Sequence, residues 1–479
     1  MFHRDCKQAL STYIASTDSD VSCSKGLLTQ FGFVECTCVL LQRSHCEDTG
    51  NVVDVISELS SDDYPLPSKA HPGLYIPLIL ARLWRAFFYL HALLATSVGQ
   101  SVMLTTLPSM GREANLSEFH IATIMSSSAL IFAFGTNVWS KVARRAGFKR
   151  ILMVGLTGYS LGTFAFASAW MAGFSGIISG TNLFLALLIS RSLQSTIMSA
   201  TPPSAVGYAV AISTPQSRVS AISKVTSASN VGQIVGPAYA GLLVGFGLLA
   251  PLYSIVLLTL LALALVYFKL PVLPPLSQQQ STQQTSDKGK ASTKVPYIFV
   301  AACICVFCAM AMMQQSLGFF FIDFYHYSPV EAARQVGFAM MVSAAASLTA
   351  QFGWVQKGRV SKEAMITIAL PLLGVAYLLL YLQHSLAVLY TAMTLMGLGM
   401  GMAYPSLAAA ATTYCAPSQQ ATVTGLITAT TAMGYVIGPP LAAFIYQVDI
   451  ALPFAVAATL ITIITCVVYI TLRRASRIN

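Results

Sequence analysis

Charge is scarce in this sequence. Only 9% of its 479 residues are Asp, Glu, Lys or Arg, whereas 55% are hydrophobic and the mean hydropathy is +0.68. A soluble domain carries roughly 25% charged residues, so a chain this long cannot cover a water-facing surface, and its main solvent must be lipid. Acidic groups are rarest: past residue 79 only Glu113, Glu118, Asp287, Asp323, Glu331, Glu363 and Asp449 remain. That is too thin a supply of clustered groups for an integral membrane enzyme, which stands only as a rival of another class. A GxxxxGK[ST] nucleotide loop is also missing, so nothing supports primary energisation by a nucleotide, and no cofactor is expected.

Paired cysteines are missing too. Cys303, Cys305, Cys308, Cys415 and Cys466 lie inside apolar stretches, where Cys behaves as a small hydrophobe. Cys6, Cys23, Cys36, Cys38 and Cys46 sit near the N-terminus without a CxxC pair, and His3 and His45 add no ligand spacing. Free thiols are expected there, and no metal.

Residues 1–79 hold five Lys/Arg and ten Asp/Glu, although the whole chain has a formal charge of +10. The basic excess therefore lies in the apolar remainder, in short gaps where it sets topology and does not bind nucleic acid. Within 1–79 the one apolar patch, near 31–41, is shorter than the roughly 20 residues that span a bilayer. It also starts too late for a signal peptide. We read 1–79 as a polar cytoplasmic extension of low order, or as an upstream start placed too early.

Twelve apolar segments of spanning length follow, at about 86–108, 119–138, 151–171, 181–205, 219–246, 249–268, 296–322, 335–356, 364–384, 386–412, 420–446 and 451–472. They divide the chain into a six-helix bundle at 80–270, a polar linker at 271–295 and a second bundle at 296–479. Basic residues mark every second gap. Arg82 and Arg85 precede span 1, and Lys141, Arg144, Arg145, Lys149 and Arg150 separate spans 2 and 3. Lys288, Lys290 and Lys294 lie in the linker, Lys357, Arg359 and Lys362 between spans 8 and 9, and Arg473, Arg474 and Arg477 at the end. Arg112 and Arg334 are the exceptions. This bias places both termini and the linker in the cytoplasm of a multi-pass protein of the cell membrane, the inner membrane in a bacterium.

The halves repeat. Pro203-Ser204 and Pro405-Ser406 lie 202 residues apart (405 − 203), and the same offset links Pro215 to Pro417, Gly232 to Gly434, Gly236-Pro237 to Gly438-Pro439, and Pro251 to Pro453. Helix-breaking residues matched at one offset mark two duplicated, pseudo-symmetric bundles. Gly232 and Gly236 lie one turn apart, which admits a close neighbour, and Pro237 permits a bend. Polar intrusions into the spans are few: His91 and Gln100 in span 1, Arg191 in span 4, and Gln314, Gln315 and Asp323 in span 7. An arginine this deep faces a cavity or a partner.

The run Gly232-Gln233-Ile234-Val235-Gly236-Pro237-Ala238-Tyr239-Ala240-Gly241 resembles the GxxxGPxxxG signature of major facilitator antiporters. Residues 140–150 resemble that superfamily's basic loop, with two departures: Ser140 replaces the first glycine, and Arg144 stands where an aspartate is usual. Arg191-xx-Gln194 resembles the fourth-span motif of the antiporters. The resemblance covers residues 85–472 and is nearest the drug and metabolite proton-antiporter branch. Within it, Gln314-Gln315-Ser316-Leu317-Gly318-Phe319-Phe320, followed by Glu331-Ala332-Ala333-Arg334, is similar to exporters of carboxylate siderophores.

The resemblance implies an all-α major facilitator fold and a monomeric secondary transporter among membrane lipids. It implies export of a small organic molecule by alternating access, with the proton as coupling ion. Arg191, Gln100, Gln314, Gln315 and Phe319 are then the expected substrate contacts, and Asp323 and His91 the proton-coupling groups. The expected hinges are Gly232, Gly236, Pro237, Gly241, Gly434, Gly438 and Pro439, and the gating loop Arg144, Arg145, Gly147 and Lys149. A proton-driven importer is the alternative direction. Arg191 has no acidic residue in its own half's spans to neutralise it, which favours an anionic or zwitterionic carboxylate as cargo.

Overall fold

The computed structural model describes residues 75–213, 218–272, 295–355, 360–415 and 420–475. The extension as far as residue 74, the linker lysines 288, 290 and 294, and Lys357, Arg359 and Arg477 lie outside the described residues, as do the side chains of Arg82 and Arg85.

The first half comprises α1 (Tyr75–Glu113), α2 (Glu118–Ala146), α3 (Phe148–Phe174), α4 (Gly180–Met198), α5 (Thr201–Ala211), α6 (Arg218–Leu243) and α7 (Ala250–Lys269). The second comprises α8 (Val295–Asp323), α9 (Pro329–Ala350), α10 (Lys362–Leu382), α11 (Leu386–Thr413), α12 (Gln420–Tyr446) and α13 (Leu452–Ala475). Eleven spans among the described residues are long and apolar enough to cross a membrane, α4 and α5 together making one of them. The 26-residue α6 takes the place of the twelfth. It carries Asn230 and Gln233 and is less apolar.

Local chemistry sets the helix ends. Ser117, Ser328, Ser361 and Ser385 each accept a hydrogen bond from a backbone N–H in the first turn of α2, α9, α10 and α11, which satisfies donors that a helix start leaves open. Gly147 ends α2 at φ 95°, a conformation few other residues tolerate, and donates its N–H to the Ala143 carbonyl. Span 4 is interrupted between α4 and α5 because Pro202 and Pro203 have no N–H for the carbonyls of Met198 and Ser199. Its counterpart α11 carries Pro405 alone and stays continuous.

Each half has its own apolar core, the second centred on residues such as Phe299, Leu370, Tyr377, Leu407 and Phe454, and the first on Leu152, Leu156, Tyr208 and Val266. The outer surface is apolar as well: Phe134, Leu161, Leu257, Phe268, Phe444 and Ile463 are exposed, as expected of helices facing hydrocarbon.

Duplication extends to the packing. A Cβ on Gly236 of α6 would fall 2.5 Å from the Ser101 Cβ and 2.8 Å from the Val98 carbonyl oxygen of α1. A Cβ on Gly438 of α12 would fall 2.7 Å from both the Ala311 Cβ and the Cys308 carbonyl oxygen of α8. The partners are themselves offset by a constant 210 residues (311 − 101 and 308 − 98). Gly232 and Gly434 repeat the contact one turn earlier, against Leu94–Val98 and Phe307–Cys308. These glycines are therefore seams between helices of the same half. Gly241 differs: its neighbour is Gly337 of α9, across the halves, and at the matching place α12 carries Ala443.

Most of the described charges lie at the two ends of the bundle. Lys141, Arg144, Arg145, Lys149, Arg150, Lys362, Arg473 and Arg474, with Glu363 beside Lys362, lie at one end, here the basic end. Arg112, Glu113, Glu118, Asp323, Glu331, Arg334 and Asp449 lie at the far end.

Candidate functional site

A cavity of about 390 Å³ lies between the halves, within the range of small-molecule sites, and is lined from α1 to α6, α8 and α12. On α1 the lining residues Leu93, Thr96, Ser97, Gln100, Ser101, Leu104 and Leu107 recur at three and four residues, the stripe of a single helix face. Four of its serines hold helices together. Ser97 and Ser229 share a hydrogen bond of 2.7 Å, Ser128 and Ser195 one of 2.6 Å, and Ser101 Oγ donates to the Gln233 carbonyl at 2.8 Å.

Arg191 is the only charged residue of the lining among the described residues. It is 6% exposed. Its Nη1 donates to Gln194 Oε1 at 2.5 Å and its Nη2 to Gln100 Oε1 at 2.7 Å. Gln194 Nε2 donates in turn to Thr163 Oγ1 at 2.6 Å, which ties the guanidinium through α4 to α3. Amide oxygens orient the cation without cancelling its charge, and no carboxylate among the described residues pairs with it.

On the opposite wall Gln314 of α8 faces the cavity, its Oε1 accepting the Tyr435 hydroxyl of α12 at 2.6 Å. The other residues expected in span 7 do not join it. Successive residues of a helix point about 100° apart, so Gln314 shares the cavity face with Met310, whereas Gln315, Phe319 and Asp323 form a separate stripe turned to the first half. Gln315 Nε2 donates to the Glu118 carbonyl at 3.1 Å. Phe319 is fully buried under the Arg112 guanidinium, 4.9 Å from its ring centroid. Asp323 ends α8 and accepts from Arg112 Nη2 at 2.5 Å and from the Tyr446 hydroxyl at 2.8 Å. Arg112 also pairs with Glu118 of its own half. These three residues thus belong to a lock at the far end and not to the cavity wall. His91, on α1, is outside the lining as well.

Other cross-half contacts lie on the same side. Ser126 Oγ donates to the Tyr435 carbonyl at 3.4 Å, and a Cβ on Gly318 would fall 2.7 Å from the Pro108 Cβ. The cavity is therefore shut toward the far end. In the basic loop, Arg144 and Arg145 are exposed, and Lys149 Nζ donates to the Tyr267 carbonyl in the last turn of α7 at 2.9 Å. That bond suits a cation at a helix C-terminus.

Sequence reasoning passed over Glu118, Tyr435 and Tyr446 as site residues, and treated Arg112 only as an exception to the charge bias. The available signal was the pairing itself: a stray cation at the end of one span, with stray anions at the ends of two others facing the same way.

The family model of the Major Facilitator Superfamily matches residues 89–382 and 357–478. Multidrug resistance protein 1 of Bacillus subtilis (strain 168) is 22% identical over 404 residues, covering 82% of this chain and 94% of that protein. Among solved structures, a bacterial homolog of the human lysosomal transporter Spinster, inward-facing and unoccupied, superposes with a TM-score of 0.63 at 13% identity, covering 82% of this chain and 97% of that one. The human organic anion transporter MFSD10 (TETRAN) superposes at 0.57 and 16% identity, over 80% and 99% of the two chains. With its helices in two repeated bundles around a cavity, the chain belongs to the Major Facilitator Superfamily. It is a multi-pass membrane transporter, not an enzyme.

Proposed function

We propose that this transporter exports a small organic anion, of the carboxylate class, in exchange for protons. The observation that carries the reading is Arg191: a buried cation facing the cavity, oriented by Gln100 and Gln194 and, among the described residues, without a carboxylate partner. An uncompensated buried charge costs several kcal/mol, and a bound anion would offset that cost. Lipophilic cations fit the same lining poorly, because it offers them no carboxylate. Carboxylate siderophores belong to the favoured class, and nothing in the lining singles them out. Export is supported by the likeness to a multidrug resistance protein.

Positive charge at the basic end favours placing that end in the cytoplasm, so the Arg112–Asp323 lock closes the outer side. Parting the halves there separates Asp323 from Arg112, and a proton competes with the guanidinium for that carboxylate. Asp323 is accordingly our coupling group in preference to His91. The deciding experiment is transport by the reconstituted protein under an imposed pH gradient. Labelled citrate should move against the proton flow, and Arg191→Ala should abolish the movement. If organic cations inhibit transport and polycarboxylates do not, the anion reading is wrong. If flux proceeds undiminished without a pH gradient, proton coupling is wrong.

A further inference from the structure

The two walls of the cavity are not equivalent, but they have one chemical feature in common. Gln100 spends its oxygen on Arg191, so its amide nitrogen faces only the Met198 sulfur at 3.8 Å, a weak acceptor. Gln314 spends its oxygen on the Tyr435 hydroxyl, and its amide nitrogen, on a residue that lines the cavity, has no acceptor among the described residues. Arg191 has five N–H groups, and two are committed. Each polar anchor therefore presents donors to the cavity, two anchors on the first half and one on the second, while the lining supplies no carboxylate to receive them.

From this we infer that the substrate carries acceptor groups at two separated ends, a dicarboxylate or polycarboxylate. One carboxylate is gripped by Arg191 and Gln100, and the other by Gln314, with Tyr435 fixing the Gln314 amide. The inference rests on the anionic reading above and extends it: the second half chooses between acids with one carboxylate and acids with two. Tyr435 is a positioning residue, since it acts through Gln314. Its carbonyl also receives Ser126 of the first half, so the second anchor stands beside the contact that joins the halves, and a ligand held at both ends bridges them.

The test is equilibrium binding to the detergent-purified full chain, read from ligand-dependent thermal stabilisation. Glutarate and pentanoate are suitable probes, each with five carbons but with two carboxylates and one. Glutarate should bind about tenfold or more tightly than pentanoate, the range expected for one added charge-assisted hydrogen bond. Gln314→Ala should erase that advantage. Gln314→Glu should reverse it by repelling the second carboxylate. Tyr435→Phe, which keeps the ring, should reduce it several-fold and so serves if a Gln314 variant fails to fold. Equal binding of the two acids to the wild type, or an advantage that survives every one of these variants, overturns the two-ended substrate. Binding of neither acid, or binding indifferent to Arg191→Ala, overturns the anion reading beneath it.

Discussion

Arg112 Nη2 lies 2.5 Å from Asp323 Oδ2, joining the end of the first helix of one half to the end of the first helix of the other. The geometry is asymmetric in charge. Glu118 stays with Arg112 in the first half, and the Tyr446 hydroxyl stays with Asp323 in the second, so separation costs each half one partner and leaves it one. The two side chains are 28% and 25% exposed, and water screens part of their attraction.

Asp323→Asn should accordingly shift the population toward opening at the far end by about 1 kcal/mol, a several-fold change. Spin labels at Asn115 and His326, in the loops on either side, report it as a longer mean distance. Arg112→Ala should do the same. An unchanged distance distribution in both variants would show that the apolar contacts alone hold that end shut.

Arg191→Lys keeps the charge but loses the planar fork, and a lysine ammonium cannot satisfy Gln100 and Gln194 in the same geometry. We expect affinity for a carboxylate substrate to fall about tenfold in Arg191→Lys and further in Arg191→Ala. Substrate-concentration dependence of transport measures both. Wild-type affinity in the lysine variant would reduce Arg191 to a point charge.

Gly236→Leu and Gly438→Leu should behave alike, because each glycine stands at the same seam of its own half. The added side chain has no room against Ser101 or Ala311. Insertion should be normal and transport nearly lost in both. Gly245→Ala is the control, since a Cβ there meets nothing within 4 Å. If the leucine variants transport normally, close helix approach has no part in the cycle.

Topology is checked by reporters at Gln283 and Asn479, both of which should be inaccessible from outside intact cells. External labelling of either would invert the orientation assigned from the basic end, and with it the identification of the lock as the outer gate.

Hydropathy alone made eleven spans legible among the described residues, because lipid demands long apolar helices whatever their neighbours. The 202-residue offset exposed the duplication, since glycines and prolines act on the backbone locally. Arg191, Gln100 and Gln314 were legible as a site because polar groups in hydrocarbon need a reason to be there. Helix phase was less legible. Gln314 and Gln315 look equivalent in the sequence, yet one faces the cavity and the other the opposite half, according to how α8 is rotated by its packing on α12 and α1. Asp323 carried the signature of a cavity group and became half of a lock, because its partners Arg112 and Tyr446 lie 211 and 123 residues away. Sequence determined which residues are polar within the membrane. Only tertiary structure decided which of them meet, because helix rotation and the docking of the halves depend on contacts between residues far apart in the chain.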